Sequence, residues 1–327
     1  MHMSRKAIID VGSNSIKLLV AEPAADGTIR TILEDSDIAR LGEGLRETGM
    51  ISPEAMARNS KVIARFAKKA NESGADEMVC VGTMALRNAK NTNEFVNLVK
   101  KTCNVNLTVI PGEEEARLSY LAVLSGLPLP QFQEGRNEAS DGSKLERSRA
   151  KLAIFDTGGG STEFIFGDGN TVNRRFSVDL GAIRITEKHF QSDPVSQADV
   201  NAAIAEIDSI FEENAVTGQL DQLVGMGGTV TSMGAVKHKM AKYNPDVIQG
   251  SKLTMADVEA QIAEYSSRSI EERKEITGLQ PKRADVILAG ACILKVIISR
   301  LGVDKLIISD RGLRHGLAFD MLAKNNS

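Results

Sequence analysis

The string Asp156-Thr-Gly-Gly-Gly-Ser-Thr-Glu163 holds the residue types that grip phosphate. Consecutive glycines let backbone amides converge on an anion, and Ser161 and Thr162 add hydroxyl donors. Asp156 and Glu163, on either side of the turn, are hard oxygen ligands of the kind Mg2+ takes beside phosphate. The string is not a P-loop: Gly-x-x-x-x-Gly-Lys-Ser/Thr is absent, and a strand-like apolar run follows where a P-loop opens a helix. Residues 7–20 repeat the plan of residues 153–166: a short apolar run, an Asp, a turn of small residues, then a second apolar run. Both read as strand–turn–strand, and the duplication predicts two lobes built on one plan. Asp10-Val-Gly-Ser-Asn-Ser15 is then the matching phosphate turn of the first lobe.

The elements that must position these turns follow from periodicity and punctuation. Ser52-Pro53-Glu54 opens a helix reaching about Asn71, because Ser caps free amides and Pro fits the first turn. Met78–Val81 reads as a strand, 92–103 as a helix, 106–110 as a strand, and 113 to about 125 as a helix. In the second half, Ser196 caps a helix with Asp199 three residues on. Leu223–Met226 is a strand ending in a glycine-rich turn, 283–301 a long apolar helix, and 305–309 a strand before a last helix. Such alternation predicts an α/β fold. The first lobe is expected over 1–125, with the helix at about 312–327 packing back on it. The second is expected over 126–311, with a polar insertion at 131–150.

Other candidates have a plain structural explanation. Acidic Glu113-Glu114-Glu115 at a helix start is favoured by the dipole alone, and Arg87 alone reads as a surface charge. Gly225-x-Gly-Gly-Thr229 by itself is a weak signal, shared with many tight turns. Lys61, Arg65, Lys68 and Lys69 share one helical face, either solvated or a rail for a polyanion. The four histidines show neither metal spacing nor a Ser/His/Asp order, so triad chemistry has no support. Three separated cysteines in apolar runs read as buried thiols of a reducing cytoplasm. With 40 Lys plus Arg against 43 Asp plus Glu, the net charge of −3 excludes a general nucleic-acid coat. Aromatics at 4% without Trp argue against base-stacking platforms. No apolar run approaches the roughly 18 to 20 residues that span a membrane. The run at Ala7–Ile9 is too short for a signal peptide, so a cytoplasmic location is expected.

Six strings then carry a resemblance. Ile9–Ser15, Gly82–Arg87, Ile110–Leu118, Ile154–Glu163, Gly227–Thr229 and Gly312–Arg314 occur in the order seen in the exopolyphosphatase/guanosine pentaphosphate phosphohydrolase (Ppx/GppA) family. The chain resembles that family over nearly its whole length. The resemblance implies the sugar-kinase/actin-like superfamily fold, two ribonuclease-H-like α/β lobes around an interlobe cleft. It implies that Glu115 is the catalytic carboxylate that activates or orients the attacking water. Asp156 and Glu163 fall on positions that help hold Mg2+ and the water, with Asp10 facing them. Ser13, Asn14, Arg87, Gly158, Gly159 and Ser161 fall on positions that contact phosphate. A requirement for K+ is left open, and a homodimer is implied as common in the family.

The resemblance has three departures: the insertion 131–150, His315 where an acidic residue is common, and no C-terminal helical domain, as in the short two-lobe members. The expected reaction is release of orthophosphate from an end of inorganic polyphosphate, with Glu113 and Glu114 setting like charges beside Glu115. Guanosine pentaphosphate is the alternative substrate at the same site. Two readings from other classes are an actin-like sugar or acetate kinase binding ATP at Gly225–Thr229 and a polyphosphate sensor without turnover.

Overall fold

The structure, a computed structural model, describes residues 4–24, 29–127, 150–169 and 171–324. The insertion expected over 131–150 lies outside the described residues apart from Ala150. The chain divides into two compact units, Met1–Ser125 with Arg311–Ser327 and Gly126–Asp310. No helix among the described residues is long and apolar enough to cross a membrane.

Unit 1 contains β1 (Lys6–Val11), β2 (Ile16–Pro23), β3 (Ile29–Asp37), α1 (Leu45–Thr48), α2 (Pro53–Glu72), β4 (Glu77–Gly82), α3 (Met84–Asn88), α4 (Thr92–Cys103), β5 (Leu107–Val109) and α5 (Gly112–Gly126), the last ending at its border. Its sheet runs β3-β2-β1-β4-β5. The first three strands form an antiparallel meander, and β4 and β5 run parallel to β1, the order of a ribonuclease-H-like lobe. The alternation of β1 explains the layers. Ala7, Ile9 and Val11 join a core with Phe66 of α2 and Phe95 of α4. Ile8 faces the other way and packs with Leu19, Ala318 and Leu322. Asp10 shares the parity of Ile8. The Ser52 side chain accepts from the Ala55 amide, which fixes the start of α2 where Pro53 predicts it.

Unit 2 contains β6 (Lys151–Thr157), β7 (Thr162–Asp168), β8 (Thr171–Val178), α6 (Ala182–His189), α7 (Gln197–Glu213), β9 (Gln222–Met226), α8 (Gly227–Lys237), α9 (Pro245–Ile248), β10 (Lys252–Thr254), α10 (Met255–Ser266), α11 (Ile270–Lys274), α12 (Ile287–Arg300) and β11 (Lys305–Ile308). Its order, β10-β11-β9-β6-β7-β8, repeats that of unit 1 with β10 added at one edge. The helix expected from residue 283 starts at Ile287, because Pro281–Arg283 forms a 3-10 turn. α12 is apolar all round and buried accordingly.

The last helix, α13 (Leu313–Lys324), belongs to unit 1 and is fastened there by a partly buried polar contact. Glu34 of β3 accepts from His315 Nε2 at 2.8 Å and from Arg314 at 2.9 Å. The Gly312 amide donates to His315 Nδ1 at 3.3 Å. Since an amide can only donate, the proton of a neutral ring sits on Nε2 and points at Glu34. Burial pushes the His315 pKa down to about 4. Burial raises that of Glu34, but the His315 hydrogen bond and the Arg314 charge outweigh it and bring it to about 2. Both groups bind protons less readily folded than unfolded. The His315 contribution to stability is therefore complete above pH 6.5 and lost as pH falls toward 4. The shift caps this loss at about 3 kcal/mol. The melting midpoint should fall between pH 6.5 and 5, and in His315→Gln that dependence should flatten; an unchanged slope in the variant contradicts the contact.

Candidate active site

The two glycine-containing turns match bond for bond. Gly12 N–H donates to Ser15 O at 3.0 Å, and Gly158 N–H to Ser161 O at 2.9 Å. In each turn the next two amides, those of Ser13 and Asn14 and those of Gly159 and Gly160, have no hydrogen-bond partner among the described residues. Adjacent unpartnered amides at a bend form a nest for an anion. The first turn is braced from outside, by Gly42 N–H to Ser13 O at 2.8 Å and Arg40 N–H to Asn14 O at 2.9 Å. The second is braced by the start of α6, where the amides of Ala182 and Ile183 donate to Gly158 O and Gly159 O. Of the phosphate candidates, Ser13, Asn14 and Gly159 supply nest amides, whereas the Gly158 amide closes its turn on Ser161 O.

Each turn sits at the carboxyl edge of the parallel strands of its own sheet. In unit 1, Asp10 on β1 lies opposite Val81 on β4, whose end leads into α3 and Arg87. β5 leads into α5, which opens on Glu113-Glu114-Glu115. Two strand spacings, on the order of 10 Å, separate β1 from β5. Arg87 NH1 lies 2.7 Å from Glu115 Oε2 and donates to Ile110 O at 3.0 Å. Its Nε and NH2 have no partner among the described residues and remain as donors for an anion. The structure thus brings Arg87 and Glu115 together. A guanidinium therefore faces Glu115, and Glu114, one of the two like charges expected beside it, is itself paired with Arg117 at 2.8 Å.

In unit 2, Asp156 and Glu163 are register partners across the β6–β7 hairpin. The Ser161 hydroxyl donates to Glu163 Oε1 at 2.5 Å and that of Ser177 to the same oxygen at 3.0 Å. Ser161 therefore orients Glu163, where the sequence suggested a hydroxyl turned to phosphate. Asp10 has a different environment, since its partner across the first hairpin is Lys17.

Among the described residues no three or more His, Cys, Asp or Glu side chains form a metal cage. Mg2+ does not need one, for it keeps several waters and takes one or two carboxylates plus substrate phosphates. The Asp156/Glu163 pair fits that demand.

The glycines after β9 serve the same edge. The turn read there is the first turn of α8. Gly227 has φ +83°, and a Cβ on it would stand 1.9 Å from Asp156 Oδ1. A Cβ on Gly228 would stand 1.9 Å from Arg283 NH2, and one on Gly225 2.9 Å from Phe155. The protein's own side chains fill these spaces, so the glycine string no longer calls for ATP. Arg283 escaped the sequence reading because an Arg after Pro281-Lys282, just before an apolar helix, looks like a surface charge. Its Nε is buried without a partner among the described residues. Burial lowers its pKa, against the opposing attraction of Asp156.

The basic face on α2 is largely neutralised. Arg65 pairs with Asp37, Lys69 with Asp35, and Lys68 with Glu72. The solvated-face reading holds for these three, and the rail loses its charge. Reversing Arg65 and Lys69 to Glu should leave the salt slope of polyphosphate affinity unchanged; a flatter slope would restore the rail.

Comparison with known proteins fits this geometry. The model of the Ppx/GppA phosphatase family matches residues 19–136 and 139–325. The chain is 29% identical to exopolyphosphatase 2 of Mycobacterium tuberculosis, over 98% of this chain and 99% of that protein. It is 31% identical to the guanosine-5'-triphosphate,3'-diphosphate pyrophosphatase of Vibrio atlanticus, over 97% of this chain and 59% of that protein. The chain spans about half the length of some curated relatives that it matches, 45% in one case. A crystal structure of the Aquifex aeolicus Ppx/GppA family member superposes with a TM-score of 0.83 at 31% identity, covering 99% of both chains. The duplicated sheets have the two-domain actin-like architecture of these neighbours. The chain belongs to the Ppx/GppA phosphatase family.

Proposed function

We propose that the protein is an exopolyphosphatase: it hydrolyses the terminal phosphoanhydride of inorganic polyphosphate and releases orthophosphate. The observation that carries this reading is the Arg87–Glu115 pair, set at the same sheet edge as the first amide nest. Phosphoryl transfer asks for positioning and charge neutralisation more than for covalent chemistry. In this reading the Ser13 and Asn14 amides and the free donors of Arg87 hold the terminal phosphate. The Glu115 carboxylate takes a proton from an attacking water. The water oxygen bonds to the terminal phosphorus, the bridging P–O bond breaks, and the leaving oxygen stays on the shortened chain. In unit 2 the Gly159 and Gly160 amides offer a second phosphate seat. Mg2+, when bound, neutralises phosphate oxygens. Asp156 and Glu163 are the residues that would hold it, and Asp10 occupies the matching place in unit 1.

Guanosine pentaphosphate presents the same terminal anhydride, and relatives at similar identity carry either name. Orthophosphate release from long polyphosphate and from guanosine pentaphosphate, measured side by side with Mg2+ and with or without K+, tests the assignment. Faster release from polyphosphate is expected. The reverse order would give the protein to the nucleotide, and no release from either would refute the hydrolase reading.

A further inference from the structure

Arg273 is 1% exposed, the largest fully buried side chain in the molecule among the described residues. Among the described residues no carboxylate lies within ion-pair distance of it, though Asp193 attracts it from farther off; Nε donates to Tyr265 O at 2.6 Å and NH1 to Ala284 O at 3.3 Å. NH2 is buried with no partner among the described residues. A buried guanidinium with no carboxylate in direct contact costs stability, and an apolar side chain of similar volume would fill the space at less cost. What the arginine does that Met or Leu cannot is tie two backbone points together. One is the last turn of α10, and the other is the residue that follows the Pro281–Arg283 turn. That turn carries Arg283, whose guanidinium lies against the Gly228 backbone within the attraction of Asp156.

We propose that Arg273 is a positioning residue: it fixes the 281–284 turn so that Arg283 presents its guanidinium to a substrate phosphate beside Asp156 and Gly228. The inference rests on the phosphate-binding part of the function proposed above. Arg273 touches no substrate in this account. It acts only through Arg283, so its effect on phosphate must vanish when Arg283 is absent.

The test is tripolyphosphate binding by calorimetry in EDTA, where no turnover interferes. Arg283→Ala should weaken binding about tenfold, the scale of one charge-assisted contact. Arg273→Met should weaken it about fivefold, and Arg273→Lys, which keeps the charge but reaches one carbonyl, should lose less. The double variant Arg273→Met/Arg283→Ala should bind no more weakly than Arg283→Ala alone. Losses that multiply in the double variant would overturn the positioning role, as would an Arg273→Met variant that binds like the wild type. If the Met variant does not fold, the same cycle with Arg273→Lys decides the question. Wild-type binding without orthophosphate release in Mg2+ would refute hydrolysis alone and leave the coupling readable. Absence of wild-type binding would refute both.

Discussion

Glu115→Ala is expected to lose about 10²–10⁴-fold in turnover while its affinity for tripolyphosphate stays level or rises. In the proposed mechanism the turnover loss follows from removing the group that takes the water's proton. The affinity follows from the 2.7 Å pair with Arg87. This carboxylate would compete with phosphate for the guanidinium, so deleting it frees a donor. Arg87→Ala should show the opposite split, with weaker binding as well as slower turnover. Rates and affinities measured on both variants check the assignment, and a Glu115→Ala enzyme with near-normal turnover would remove Glu115 from the chemistry.

The second large effect is expected at a residue with no side chain. In Gly227→Ala the new methyl would meet Asp156 Oδ1 at 1.9 Å, on a backbone whose φ of +83° already disfavours a Cβ. The left-handed strain costs about 1–2 kcal/mol. The carboxylate must also move, and a displacement of about 1 Å at a reacting centre costs roughly 100-fold in rate. The variant should therefore fold with a modestly lower melting midpoint and hydrolyse at least ~100-fold more slowly. Its Mg2+ dependence should shift to higher concentration. Normal rate and normal Mg2+ dependence in a folded Gly227→Ala would show that Asp156 has no part in the reaction.

Much of this arrangement is legible in the sequence because it is written twice. The matched Asp-turn strings predict matched hairpins, and the bonds Gly12–Ser15 and Gly158–Ser161 repeat each other. α2 and α7 carry side-chain caps at Ser52 and Ser196, so their starts can be read from local chemistry. The third strand of each meander leaves little trace. β3 and β8 lie at sheet edges with most side chains exposed or half-buried, so no apolar alternation marks them. Partner choice is also hidden from local reading. Asp35 and Asp37 neutralise a helix some thirty residues away, and the closing of Arg87 on Glu115 depends on β4 and β5 lying side by side. Arg283 is the clearest case, since only the fold reveals that Gly228 lacks a side chain where the guanidinium lies.

Isotope tracing reads the central event most directly. Polyphosphate is digested with the wild-type protein and Mg2+ in water enriched in oxygen-18, and the products are resolved by phosphorus NMR or mass spectrometry. Attack on the terminal phosphorus predicts one solvent-derived oxygen in every released orthophosphate and none in the shortened chain. Label retained on the chain, or orthophosphate formed without label, would contradict a water aimed at the terminal anhydride.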